Sequence, residues 1–206
     1  MGAGTACRRE VPLKTTHSKK GKNDMKLMIA SDIHGSAAYC EQLMEAYRKE
    51  APDRLLLLGD LLYHGPRNDL PLDYAPKRVI EMLNAISENL LCVRGNCEAE
   101  VDQMVLSFPV LAEYAYLEVN GISIFATHGH HYSETTPPPL KKGDVLLCGH
   151  THVSRCARYE GFTYLNPGSV SIPKDGSAHS YMILEEGIFT AKTLEGEETF
   201  RYSMLA

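Results

Sequence analysis

Five short polar clusters, each placed directly after an apolar run, constrain this chain more than any other feature of its sequence. The apolar runs read KLMIA, LLLL, LLCV, IFA and VLLC, and their length is typical of buried β-strands. The polar clusters that follow them are residues 31–35, 59–60, 94–97, 127–131 and 149–152. Because the carboxyl ends of strands in an α/β sheet share one edge, we expect the five clusters to converge on a single site.

The order of elements in the first half indicates an α/β fold. Apolar residues recur at helical spacing from Ala37 to Tyr47, and Pro76 begins a second helical segment. These helices alternate with strands at 26–30, 55–58 and 90–93, an order that predicts a parallel sheet with right-handed crossovers. A further short helix is predicted at 98–106.

After Pro109 the pattern changes to short strands separated by turns that contain glycine. These strands are predicted at 115–119, 122–126, 145–148, 162–165, 181–184 and 189–194. Asn120-Gly121, between two apolar runs, is a strong hairpin signal. We therefore expect the second half to be mostly a meander, and the domain to be a two-sheet α/β sandwich covered by helices from the first half.

Charge separates the first 24 residues from the rest of the chain. Residues 1–24 carry a net charge of +4 and lack the apolar segment of a secretory signal, so we expect a disordered basic tail. Residues 25–206 carry a net charge of −9 and form the one predicted domain, a poor partner for long nucleic acid. No apolar run approaches the roughly 18 residues of a membrane helix. Without a CxxC pair among its six cysteines, the protein is expected to be cytoplasmic and free of disulfides.

The residue types in the five clusters favour metal chemistry. They offer carboxylate, imidazole and amide donors and need no thiolate, a set that suits catalytic Mn, Fe, Zn or Ni. The candidate ligands are Asp32, His34, Asp60, Asn96, His128, His150 and His152. Seven ligands are too many for one ion but suit two ions if one carboxylate bridges them. In Asp-x-His, alternate side chains of an extended segment point the same way and can chelate one ion, and His-x-His repeats that geometry and can give one imidazole to each ion.

With these motifs the chain resembles the calcineurin-like metallophosphoesterases, and among them the small bacterial YfcE-type phosphodiesterases, which are related to the retromer subunit Vps29. The resemblance covers residues 25–200 and rests on SDIHG, LLGD, HGPRN, VRGNC, THGH, GHTH and NPGSVSIP. It implies a four-layer α/β/β/α sandwich of two mixed sheets flanked by helices. It also implies two divalent metal ions, for which Mn²⁺ is the first choice and Zn²⁺, Fe²⁺ and Ni²⁺ are alternatives.

The resemblance assigns the ligands to two ions that share Asp60 as the bridge. One ion would take Asp32, His34, Asp60 and His152, and the other would take Asp60, Asn96, His128 and His150. The implied activity is hydrolysis of a small phosphodiester by a hydroxide that bridges the two ions. The sequence leaves a homo-oligomer open.

Two other functions remain open from the sequence. One is a non-catalytic protein-interaction scaffold of the same fold, although such a scaffold does not require all seven ligand positions to be filled. The other is a phosphomonoesterase. Many family members carry a histidine after the Asn of the Gly-Asn block that protonates the leaving group, whereas this chain has Cys97 there. The YfcE-type relatives share this cysteine, so it does not indicate an inactive enzyme, but it weakens the assignment of a general acid.

Three further residues are candidates for substrate contact. His64 and Arg67 follow Asp60 on a loop, where they would either bind phosphate or serve as a packed histidine and a surface charge. His130 follows His128 by two residues and would either touch substrate or support the ligand histidine. Arg94, at the end of a buried strand, is expected to pair with a carboxylate.

Overall fold

A computed structural model describes residues 5–6 and 25–205 of the chain. The strands are β1 Thr5–Ala6, β2 Leu27–Ala30, β3 Arg54–Leu57, β4 Leu90–Cys92, β5 Tyr114–Val119, β6 Ile122–Thr127, β7 Asp144–Leu147, β8 Ser154–Arg158, β9 Phe162–Pro167, β10 Ser180–Glu185, β11 Ile188–Thr193 and β12 Glu198–Ser203. The helices are α1 Ala37–Glu50, α2 Pro76–Asn84 and α3 Glu100–Gln103, and a 3-10 turn spans Ser87–Asn89. The strands form two six-stranded mixed sheets that pack face to face.

Sheet II has the strand order β12-β11-β10-β2-β3-β4, and its β2, β3 and β4 are parallel, as predicted. Side chains alternate between its two faces. Leu27 and Ile29 face the core between the sheets, whereas Met28 and Ala30 pack in the core under the helices. Burial on both faces explains why these strands read as continuous apolar runs.

The helices that cover sheet II have ends that are explained by capping residues and by proline. The Ser36 side chain accepts a hydrogen bond from the backbone N–H of Tyr39 and caps α1, which ends at Ala51 in a left-handed conformation. Pro76 occupies the first turn of α2, where its missing N–H costs nothing. The apolar face of α1, including Leu43, is fully buried against the sheet.

Sheet I has the strand order β1-β8-β9-β7-β6-β5. The predicted hairpin at Asn120-Gly121 joins β5 and β6, and antiparallel hairpins also join β8 to β9, β10 to β11 and β11 to β12, but the expected meander leaves out a parallel part of the sheet. The strands β6, β7 and β9 are parallel, and β10 crosses to sheet II to pair with β2. The strands β8 and β12 could not be predicted from the sequence, because they are partly exposed, carry charged side chains and therefore lack an apolar run.

The outer face of sheet I is covered by a loop. Phe125, Leu146 and Tyr164 form a small buried cluster there, and Leu140 from the loop packs against it. Among the described residues no helix forms a layer on this face. The reason lies in Pro137-Pro138-Pro139 of the loop, because consecutive prolines lack the N–H donors that a helix needs. The α/β sandwich of two mixed sheets is confirmed, with its helices on sheet II.

Two expectations concern the first 24 residues and the cysteines. Thr5–Ala6 pairs antiparallel with β8, and the rest of the predicted tail lies outside the described residues. The prediction that no cysteine forms a disulfide is wrong for Cys156, which is disulfide-bonded, a bond for which the sequence has no paired-cysteine motif as signal. In the described part of the chain, none of the helices has the length and apolar character to span a membrane.

Candidate metal centre

The five polar clusters converge where the carboxyl ends of the parallel strands of both sheets meet. Asp32 and His34 follow β2, Asp60 follows β3, Asn96 follows β4, His128 follows β6, and His150 and His152 follow β7. A direct bond joins the two sheets at this edge, because the backbone N–H of His150 donates to Asp32 Oδ2 at 3.0 Å. All seven predicted ligands therefore lie at one place.

The first group of donors consists of Asp32, His34 and His152, which are all buried. His152 Nε2 lies 3.3 Å from Asp32 Oδ1, and His34 Nε2 lies 3.6 Å from the same oxygen. The Nε2 atoms of the two histidines are 3.2 Å apart. Three potential ligand atoms thus face a common point.

The second group of donors consists of Asp60, Asn96, His128 and His150. His128 Nε2 lies 3.4 Å from Asp60 Oδ2, 3.1 Å from Asn96 Oδ1 and 3.2 Å from His150 Nδ1. Asp60 Oδ2 also lies 3.7 Å from His34 Nε2 in the first group. The carboxylate of Asp60 therefore stands between the two groups, which is the position that a bridging ligand requires.

The hydrogen bonds of the histidines leave acceptor atoms facing one another. His34, His128 and His152 each place Nδ1 2.6–2.8 Å from a backbone carbonyl oxygen. A carbonyl oxygen only accepts, so Nδ1 carries a proton, and the neutral form of each ring, which is the form that binds a metal, presents the lone pair of Nε2 to the centre. The 3.2 Å contact between His34 Nε2 and His152 Nε2 then brings two lone pairs together, an arrangement that a cation between them stabilises.

The donor set fits divalent transition metals. Donors bound at about 2.1 Å to one ion lie roughly 3.0–3.4 Å apart, and the closest donor pairs here are 3.1–3.4 Å apart. Asp32 Oδ1 is buried and has no hydrogen-bond donor among the described residues, which is costly for a carboxylate oxygen without a cation. Imidazole, carboxylate and amide donors together suit Mn, Fe, Zn or Ni.

Five of the seven candidate ligands have a left-handed backbone. Their φ angles are 59° for Asp32, 50° for His34, 55° for Asp60, 65° for His150 and 62° for His152. Residues with a Cβ rarely adopt this region, and each such residue costs about 1–2 kcal/mol. Backbone bonds enforce the conformation, including His34 N–H to the Asp60 carbonyl at 2.9 Å. Backbone strain that is concentrated at the candidate ligand residues indicates a functional site.

Mutual charge interactions keep the cluster ionised despite its burial. Burial opposes ionisation of Asp32, yet the neighbouring His152 and His34 rings and the charge of His128 hold the pKa of this carboxyl well below its usual range. Burial also opposes protonation of His128, but the Asp60 carboxylate and the charge of Asp32 raise the pKa of His128 to about 9. The Asp32 and Asp60 carboxylates are therefore ionised and available to a cation, which would take the place of the proton on His128.

A cavity of about 410 Å³ opens beside the cluster. Of the three residues predicted to contact substrate, the structure places only Arg67 on its wall. His64 packs edge-on against the rings of Tyr63 and Tyr74, with centroids 4.7 and 5.3 Å away. His130 packs against the His128 ring at 5.4 Å, and burial together with the charge of His128 lowers the pKa of His130 to about 4.

Cys97 lies half-buried on the same wall. Its backbone N–H donates to Asp60 Oδ1 at 2.9 Å, and its Sγ accepts from Asn96 Nδ2 at 3.3 Å. Burial and the negative charge of Asp60 raise the pKa of the Cys97 thiol. Arg94 pairs with the Glu113 carboxylate at 3.7 Å, in agreement with the expectation for this residue.

Sequence reasoning missed two residues at the site. Lys174 lines the cavity and donates its backbone N–H to the His152 carbonyl at 3.0 Å. Glu98 is 4% exposed, and its carboxylate accepts a hydrogen bond from the backbone N–H of Asp60. For Glu98 the sequence held one signal, an acidic residue immediately after the cluster at 94–97. For Lys174 it held none, because the residue lies in an irregular loop.

Comparisons with known proteins identify the family of this chain. A family model described as calcineurin-like phosphoesterase superfamily domain matches residues 25–187. Phosphodiesterase YfcE from Escherichia coli K12 is 43% identical over 173 residues, which cover 84% of this chain and 94% of that protein. Phosphodiesterase MJ0936 from Methanocaldococcus jannaschii is 23% identical over 152 residues, covering 70% of this chain and 83% of that protein.

Comparison with solved structures supports the same family. The structure of Yfce, a phosphoesterase from E. coli, superposes with a TM-score of 0.84 at 41% identity, covering 87% of this chain and all of that one. Vacuolar protein sorting 29 from Cryptosporidium parvum has a TM-score of 0.56 at 19% identity, covering 87% of this chain and 98% of its own, a likeness of fold alone. The chain therefore belongs to the calcineurin-like phosphoesterase superfamily.

Proposed function

We propose that this protein is a metal-dependent phosphodiesterase that hydrolyses small phosphodiesters at a dinuclear centre. The observation that carries the proposal is the position of Asp60 Oδ2, 3.7 Å from His34 Nε2 in one donor group and 3.4 Å from His128 Nε2 in the other. The names of the E. coli and archaeal relatives supply the reaction class.

The ligands divide between two ions as the donor groups divide. One ion is assigned to Asp32, His34, Asp60 and His152, and the other to Asp60, Asn96, His128 and His150. When bound, two divalent ions, Mn²⁺ in our proposal, would lower the pKa of water to supply a hydroxide nucleophile and would stabilise charge on the phosphoryl oxygens.

The side chains around the ions bind and orient the substrate. Arg67 and Lys174 line the cavity and bring positive charge to an anionic diester. The backbone N–H of Cys97 holds Asp60 Oδ1, which leaves Oδ2 directed at both donor groups. The carbonyls that accept from the Nδ1 atoms fix the ring orientation of three ligand histidines.

The experiment that tests this function combines metal analysis with two substrates. We expect the manganese-loaded protein to bind two ions per chain and to hydrolyse bis(p-nitrophenyl) phosphate faster than p-nitrophenyl phosphate. A preference for the monoester would favour the phosphomonoesterase. Less than one ion per chain after loading, with neither ester hydrolysed, would favour the non-catalytic scaffold.

The character of Cys97 predicts a strong dependence of rate on the leaving group. A half-buried thiol with a raised pKa donates hydrogen bonds poorly, so a departing alkoxide receives little help from a proton donor at this position. General acid catalysis contributes about 10²–10⁴-fold, mainly for basic leaving groups. We therefore expect kcat for aryl diesters to exceed that for dialkyl diesters by at least about this factor, measured over a series of leaving groups.

Substitution of Cys97 separates its chemistry from its packing. Cys97→Ala is expected to lose less than about tenfold on aryl diesters, because a phenolate leaves without a proton. Cys97→His is expected to help dialkyl diesters selectively if its ring reaches the leaving oxygen. A loss of about 10³-fold for Cys97→Ala on aryl diesters, with both ions still bound, contradicts this account of the residue.

A further inference from the structure

Glu98 holds together the two loops that carry Asp60 and Asn96. Its side chain is buried, and its two carboxylate oxygens accept three backbone hydrogen bonds. Oε2 accepts from the N–H of Asp60 at 2.9 Å and from that of Gly95 at 2.5 Å. Oε1 accepts from the N–H of Leu61 at 2.7 Å. One carboxylate thus bonds to both ligand-bearing loops.

The two loops approach so closely that backbone N–H groups of both converge on the Glu98 carboxylate. A Cβ on Gly95 would lie 2.2 Å from Asp60 Oδ1 and 2.5 Å from the Asp60 nitrogen. A Cβ on Gly59, with φ of 92°, would lie 2.4 Å from the Gly95 nitrogen. Because of this contact, backbone N–H groups of both loops point at the same buried position. Buried N–H groups without an acceptor cost free energy, and the Glu98 carboxylate accepts from three of them.

Nothing else in the structure accounts for the burial of this carboxylate. Within the described residues, no Lys, Arg or His side chain forms an ion pair with Glu98. Arg94 donates to the Glu98 backbone carbonyl at 3.3 Å rather than to its carboxylate. Burial of a carboxylate without a cationic partner costs free energy, and the three backbone hydrogen bonds offset that cost.

We propose that Glu98 is a positioning residue that fixes the Asp60 carboxylate between the two donor groups and so controls whether two ions bind as a coupled pair. The inference rests on the proposed function, because it assigns Asp60 the bridging position. The Asp60 N–H is bonded to Glu98 and Asp60 Oδ1 to the Cys97 N–H, so both loops held by Glu98 define where Asp60 Oδ2 points.

Glu98→Gln tests the proposal. The amide keeps one acceptor oxygen but turns an –NH₂ group toward backbone N–H donors, so at least one of the three bonds is lost. We expect the affinity for the second Mn²⁺ to fall about 10–100-fold, and kcat to fall over a similar range. We also expect the exchange-coupled electron paramagnetic resonance signal of paired Mn²⁺ to weaken. Glu100→Gln, an exposed acid two residues away, is the matched control and should match the wild type in all three measurements.

A purely structural role for Glu98 gives a different pattern. Glu98→Gln would then unfold at a lower temperature while its second-ion affinity, coupled signal and kcat per folded molecule equalled those of the wild type, which would overturn the proposal. If Glu98→Gln does not fold, Glu98→Asp decides by the same measurements, because it keeps both oxygens but is one methylene too short to reach both loops. A wild type that binds two uncoupled ions would also overturn it. A wild type that binds fewer than two ions would instead refute the proposed function.

Discussion

Removal of divalent cations by a chelator is expected to abolish phosphodiesterase activity and to lower the free energy of unfolding. The donor groups are poorly arranged without cations, because Nε2 lone pairs of His34 and His152 face each other at 3.2 Å and Asp32 Oδ1 is buried without a donor among the described residues. A ligand at 100 times its Kd stabilises the folded state by about 2.7 kcal/mol, and two ions contribute more.

The size of this effect is measurable by calorimetry. For a domain of this size, each kcal/mol changes Tm by roughly 2–4 °C, so we expect chelation to lower Tm by about 5–10 °C or more. Activity is expected to fall by at least about 10³-fold and to return when Mn²⁺ is added back. The control is the same treatment with the chelator already saturated by Mn²⁺. Unchanged activity after demonstrated removal of the metal would contradict the proposed chemistry.

Much of the site could be predicted because its ligands follow strands whose pattern is unambiguous. Runs such as the four leucines at 55–58 are too short for helices and apolar on both faces, so they indicate parallel strands. Parallel strands end at one edge, which brings Asp32 and His152 together across 120 positions. The residue types at these strand ends then indicate the metal chemistry.

The rest could not be predicted because it depends on contacts between distant segments. Glu98 acquires its role only when the backbone of Asp60, 38 positions earlier, folds against Gly95. The sequence of β12 is mostly polar and does not predict a strand, and its strand conformation depends on pairing with β11. Left-handed φ angles at His150 and His152 cannot be predicted from residue type alone, since histidine is enriched in this region but adopts it in only a small minority of positions. Tertiary bonds impose these features.

Asp60→Asn is expected to reduce kcat by about 10³–10⁵-fold, or about 4–7 kcal/mol in activation free energy. Asparagine keeps the size of the side chain and tolerates the φ of 55° at this position, so the fold is expected to survive. The substitution removes the negative charge between the two donor groups, where Oδ2 lies 3.7 Å from His34 Nε2 and 3.4 Å from His128 Nε2. Both ions are therefore expected to bind more weakly, whereas His34→Ala should mainly weaken one.

The matched control for Asp60→Asn is Asp73→Asn. Asp73 also has a left-handed backbone, with φ of 51°, but it is exposed and pairs with Arg78 at the surface. A surface ion pair contributes about 0–1 kcal/mol to stability, so this variant should keep wild-type kcat and both ions. Metal analysis and single-turnover rates on bis(p-nitrophenyl) phosphate distinguish the two variants. If Asp60→Asn retains two ions and a kcat within about tenfold of wild type, then Asp60 does not bridge, and another group must join the two halves of the centre.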